Sequence, residues 1–279
     1  MKKETKFVNK IKRLLKRLGF PRWLHHFGPK KYEFYEHICS LLIKIYCKFS
    51  YRRTAYFLDL LGFKCPSKSA LQYNSKKLRK EFWNKILRAT SGDSYLVALD
   101  STGFSRENPS YHYLKRIDGK MPKIPIKLSC AFDTRKKKFC SANVRVLPAH
   151  DVKDAEMLIK KSNPKIIVAD KAYDSNKIHM LCNELGIKAH IPIREYGRVR
   201  HFHMSARRKA CKHFRKKTYH RRELIESGFS SLKRKFGISV SSKKASTIRS
   251  EVYGRLPCHN IFQMLFERFR TEPNPRALS

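Results

Sequence analysis

The chain has 279 residues, 41% of them hydrophobic and 12% aromatic, enough to bury a sizeable core and a second, smaller one. Lys and Arg number 63 against 22 Asp and Glu, a net charge of +41 with a pI of about 10.2. Such a balance repels itself in a free globular protein and calls for a polyanionic partner, nucleic acid before a membrane surface, because the basic residues are spread along the whole chain.

No apolar run approaches the ~20 residues needed to span a bilayer, so no membrane role is expected. The start, Met1 to Lys6, lacks the apolar stretch of a signal peptide. Eight scattered cysteines include no CxxC pair, which argues for reduced thiols rather than a zinc knuckle or a disulfide framework. The expected location is the cytoplasm, with the nucleoid.

Residues 1 to 31 carry eleven Lys or Arg and one Glu, with apolar residues at helical spacing from Phe7 to Leu18. This reads as a basic amphipathic arm, solvated or lying on DNA. Residues 32 to 88 read as all-helical. Ile38, Leu41, Leu42 and Ile45 mark one helix, Ser50 opens a second that stops near Gly62, and Ser67 caps a third. Helix, glycine turn and basic helix fit a helix-turn-helix or a plain helical bundle equally. Residues 1–90 are therefore expected to form a helical, basic DNA-binding region.

From residue 91 the texture changes. Tyr95 to Leu99 is a short apolar run ending at Asp100. Ile126 to Asp133 and Phe139 to Val146 form a hairpin around Thr134 to Lys137. A helix from Asp151 to Lys161 precedes a second apolar strand, Lys165 to Ala169, which also ends in an aspartate, Asp170. Asp174 competes with it and can instead cap the helix from Ser175 to Leu185. A strand from Ile187 to Ile193 completes a β-β-β-α-β-α-β order, an α/β pattern with a mixed sheet. The catalytic region is expected over 91–270, a last helix over Ile248 to Phe269, and a tail over 271–279.

Between Ile191 and Arg222 lie twelve Lys or Arg and one Glu, interleaved with Tyr196, His201, Phe202, His203 and Phe214. Arg207, Arg208, Lys216 and Lys217 in this stretch suit backbone neutralisation beside stacking rings. On the helix that follows, Tyr219, Arg222, Glu226 and Lys233 fall on one stripe about 60° wide. Ile225, Phe229 and Leu232 lie on the adjacent face. Glu223 is the competing acid, about 60° from Glu226.

Two strand-ending aspartates and a helical glutamate are a device for holding divalent cations, because converging carboxylates repel until cations neutralise them. Strand ends of an α/β sheet are where ligands sit. Hard oxygen donors favour Mg²⁺ or Mn²⁺ over zinc.

At these residues the chain resembles the insertion-sequence transposases with an Asp-Asp-Glu catalytic domain and a Tyr-Arg-Glu-Lys signature. Tyr219, Arg222, Glu226 and Lys233 match that signature without a spacing error, and Asp100-Ser-Thr, Asp170-Lys-Ala-Tyr-Asp174 and His150-Asp151 extend the likeness over about 91 to 262. The resemblance implies a ribonuclease-H-like mixed five-stranded sheet flanked by helices. It implies two Mg²⁺ ions on Asp100, Asp170 and Glu226, and contacts from Tyr219, Arg222 and Lys233 to double-stranded DNA at terminal inverted repeats. It further implies strand transfer of a freed 3′-hydroxyl into target DNA, by a homodimer or larger multimer. Two other readings remain: a same-fold nuclease that cuts without rejoining, and a non-catalytic DNA-binding protein.

Overall fold

The computed structural model describes residues 3–24, 30–106, 126–147, 149–194 and 205–271. Five helices come first. Phe7, Ile11, Leu14 and Leu15 bury one face of α1 (Lys3–Arg17) against α2 (Phe34–Tyr46). Two glutamates close the start of α2, the Glu33 backbone N–H donating to Glu36 at 2.7 Å. Ser50 caps α3 (Tyr51–Leu60) and Ser67 caps α4 (Lys68–Lys77), as their positions predict. In α5 (Lys80–Ser91), Trp83, Ile86 and Leu87 face inward.

The sheet begins with the meander β1 (Leu96–Arg106), β2 (Ile126–Asp133) and β3 (Lys138–Arg145), all antiparallel. Helix α6 (Val152–Ser162) leads to β4 (Ile166–Ala169), and α7 (Asn176–Glu184) leads to β5 (Lys188–His190). Both of these strands are parallel to β1, giving the order β3-β2-β1-β4-β5. This is the mixed, helix-flanked sheet of the ribonuclease-H-like fold. Two short helices follow, α8 (Ser205–Lys212) and α9 (Lys216–Tyr219), then α10 (Glu223–Phe236), β6 (Ser239–Val240) and α11 (Ala245–Thr271).

Strand alternation divides the interior. Leu96, Ala98 and Phe104 of β1 enter one core, while Val97 and Leu99 enter the other. The first core joins α1, α2, α5, α10 and α11 to one sheet face, so it runs straight across residue 90. The second lies under α6 and α7.

Three elements differ from the sequence reading. β1 does not end at Asp100 but continues to Arg106, because β2 pairs with it as far as Phe104 and β6 pairs with its last two residues. β5 is only three residues long. The helix expected to run unbroken from Tyr219 tightens into a 3-10 turn at His220–Arg222 before α10 begins. No helix among the described residues is long and apolar enough to cross a membrane. All eight cysteines are free thiols, and burial pushes that of Cys182 up to about 12.

Candidate active site

Parallel pairing of β1 with β4 ends at Leu99 and Ala169. Asp100 and Asp170 are the residues that follow this last pair, Asp100 within β1 and Asp170 just past the end of β4. Their surroundings then diverge. Asp100 remains in β1 opposite Cys130 of β2, and its carboxylate accepts from the Ser101 N–H at 2.8 Å. Asp170 opens the 3-10 turn Lys171–Tyr173 and accepts from the Lys171 N–H at 2.6 Å. Burial raises the Asp100 pKa above the ordinary carboxylate value, and the charges of Glu226 and Asp151 add to this, against the Ser101 hydrogen bond and Arg222.

Glu226 arrives from the other side, on the first turn of α10. The apolar side chains Ile225, Phe229 and Leu232 seat this helix on the core, which leaves Glu226 at its edge. Arg222 joins the two: its Nη2 lies 2.8 Å from Glu226 Oε1 and its Nη1 lies 3.6 Å from Asp100 Oδ2. A guanidinium cation thus sits between two carboxylates. Two turns along from Glu226, the Lys233 ammonium rests 5.7 Å from the centre of the Phe104 ring. Asp100, Ser101, Thr102, Glu226, Lys233 and Arg234 line a cleft of about 600 Å³. Asp170 does not line it.

Among the described residues no three His, Cys, Asp or Glu side chains converge into a metal cluster as placed. The donor chemistry nevertheless fits a hard divalent cation: Asp100 is half-buried and feels the negative charges of Glu226 and Asp151, and Asp170 follows the end of the adjacent strand.

The remaining sequence candidates separate into three groups. Tyr219 is half-buried against Phe214, with ring centres 5.6 Å apart, and Lys216 and Lys217 are exposed on α9. Arg207 is committed inward: its Nε donates to Asp174 Oδ1 at 3.2 Å and its Nη2 pairs with Asp174 Oδ2. The side chain of Arg208 lies outside the described residues, as do Tyr196, His201, Phe202 and His203. Glu223, the competing acid, points outward and faces His220 at 3.5 Å.

Asp174 has a part that sequence reasoning missed. It does not cap the helix that follows, since Ser175 takes that place. Its buried carboxylate gathers His179 Nε2 at 3.0 Å, the Arg194 N–H at 2.8 Å and Arg207. Burial alone would raise its pKa, but these donors outweigh burial and hold it below the ordinary carboxylate range. Because Arg194 Nε also donates to the Lys171 carbonyl at 2.7 Å, the cluster braces the loop that carries Asp170. A carboxylate four residues after Asp170 was the one available signal.

Residues 91–261 match the model of a family described as "Transposase DDE domain". No curated protein matches the chain in sequence. Two solved structures are similar in part. The catalytic core domain of BIV integrase aligns over 63% of this chain and 99% of its own, at 13% identity and a TM-score of 0.32. The piggyBac transposase in a synaptic complex with hairpin DNA aligns over 96% of this chain and 73% of its own, at 12% identity and a TM-score of 0.47.

Proposed function

The chain belongs to the family with a transposase DDE domain, and we propose that it cuts DNA at transposon ends and joins the freed 3′-hydroxyl to target DNA. The observations that support this reading are the paired residues Leu99 and Ala169 that immediately precede Asp100 and Asp170, and the bridge that Arg222 makes between Asp100 and Glu226. Two Mg²⁺ or Mn²⁺ ions held by Asp100, Asp170 and Glu226 would supply activation of the attacking oxygen and neutralisation of charge on the leaving one. Arg222 bridges Asp100 and Glu226 and offsets their mutual repulsion, and its planar fork would suit a phosphate at the cut. Lys233, held over Phe104, is a point charge at the cleft. Tyr219, Lys216 and Lys217 lead the duplex toward that cleft, and two or more chains hold paired ends.

The test is to incubate the purified protein with labelled DNA from both flanks of its gene in Mg²⁺ or Mn²⁺. Joined products are expected. Nicks without joining would make the chain a nuclease of the same fold, and tight binding without cutting would make it a non-catalytic DNA-binding protein.

A further inference from the structure

A second concave surface lies outside the catalytic cleft. It has a volume of about 660 Å³ and is walled by the corner between α4 and α5, the outgoing end of β3, the start of α6 and the start of α11. Five cations point into it: Lys76, Arg79, Lys80, Lys153 and Arg249. All five are exposed, and none forms an ion pair among the described residues. Glu81 is the single acid of the lining, and Arg145, the remaining cation there, is held by Asp154. Five like charges sharing one groove give it a positive potential that favours an anionic occupant. The first turn of α5 opens onto the same groove without a side-chain cap, so its backbone dipoles add to the positive potential.

The register fixes where this groove stands. Thr102, which lines the catalytic cleft, pairs with Leu128, and Leu128 pairs with Val144, which lines the groove. Two strand spacings, about 10 Å, separate Thr102 from Val144 at the backbone, with Leu128 buried in the core between them.

We propose that this groove is a second DNA-binding surface, in which Lys76, Arg79, Lys80, Lys153 and Arg249 hold backbone phosphates of a duplex outside the cut site. The inference rests on the reading of the chain as a DNA-processing enzyme and assigns a contact surface that the catalytic residues do not supply. Exposed cations spread over four separate elements suit backbone phosphates rather than base edges.

The test has two parts, neither of which needs catalysis. In Glu226→Gln protein, lysine acetylation is mapped by mass spectrometry with and without duplex DNA. Lys76, Lys80 and Lys153 should become at least fivefold less reactive when DNA is bound; unchanged reactivity at all three overturns the proposal. In parallel, the triple variant Arg79→Glu, Lys153→Glu, Arg249→Glu is compared with the parent by fluorescence anisotropy across a salt series, on a transposon-end duplex and on an unrelated one. All three positions are exposed, so circular dichroism should be unchanged. The log–log salt slope should become shallower by about 2 to 3, at ~0.9 per phosphate contact, with affinity at least tenfold weaker. Loss confined to the end duplex makes the groove a track for that DNA, and loss on both duplexes makes it a general track that also accepts target DNA. An unchanged slope on both overturns the proposal. Should wild type fail to cut DNA while the three lysines are protected, the catalytic reading fails and the groove stands.

Discussion

At the scale of single residues, buried titratable groups set how the protein answers to pH. His259 is 3% exposed and lies edge-on to Phe139, with ring centres 5.3 Å apart. Burial first, then the charge of Lys235, pushes its pKa down to about 4, and His190 shifts in the same direction. The unfolded chain binds that proton near pH 6.5, so the stability contributed by a neutral His259 is complete above about 6.5 and declines as pH falls toward 4. Thermal melts across this window should show falling Tm, and His259→Gln should flatten that slope; a slope identical to wild type would contradict the assignment. Asp174 behaves differently. Its depressed pKa preserves stability above the ordinary carboxylate range, and that stability is lost only as pH falls below about 4. Asp174→Asn removes the buried negative charge that Arg207 pairs with and should cost about 3–5 kcal/mol in urea unfolding. The sequence placed Asp174 as a competitor of Asp170 or a helix cap. Its partners lie 5, 20 and 33 residues onward, and no local pattern announces contacts of that span.

At the scale of elements, the position of α10 decides where Glu226 stands. Gly228 lets this helix lie directly on the sheet: a Cβ there would meet the Phe132 ring at 2.9 Å. Gly228→Ala should therefore destabilise by about 1–3 kcal/mol and lift the turn that carries Glu226. Cleavage should fall more than DNA affinity, because a carboxylate displaced by about 1 Å loses the alignment that a phosphoryl transfer needs. Equal losses in both would point to general unfolding instead. The pairing of Arg222 with Glu226, four residues apart, was legible because helical spacing is a local property. The 3-10 turn at His220–Arg222 was not, since it arises where α9, packed by Phe214 and Tyr219, meets a helix fixed by Phe132. The continuation of β1 past Asp100 escaped notice for a similar reason, as its outer residues are held by pairing with β2 and β6 rather than by an apolar run.

At the scale of the whole molecule, charge and core are organised by the same sheet. The apolar runs of β1 to β4 and the α/β alternation made the central sheet readable, whereas the shared core that binds α1, α2 and α5 to α10 and α11 joins residues far apart in the chain. The groove at the end of β3 was hidden likewise, because its cations come from four separate segments. With +41 net charge, DNA affinity should fall steeply with salt, at a log–log slope near −0.9 for each phosphate neutralised; a shallow slope would leave most of that charge without a role in binding. The central claim, that three carboxylates from two strands and a helix make one catalytic centre, is tested most directly by Asp100→Asn, Asp170→Asn and Glu226→Gln. Each should be assayed for Mg²⁺-dependent cleavage and for DNA affinity. The account predicts that every one of the three loses cleavage by about a thousandfold or more while affinity stays within about threefold of wild type, each change removing a group that acts only in the transition state. Wild-type cleavage by any one of the three would contradict it.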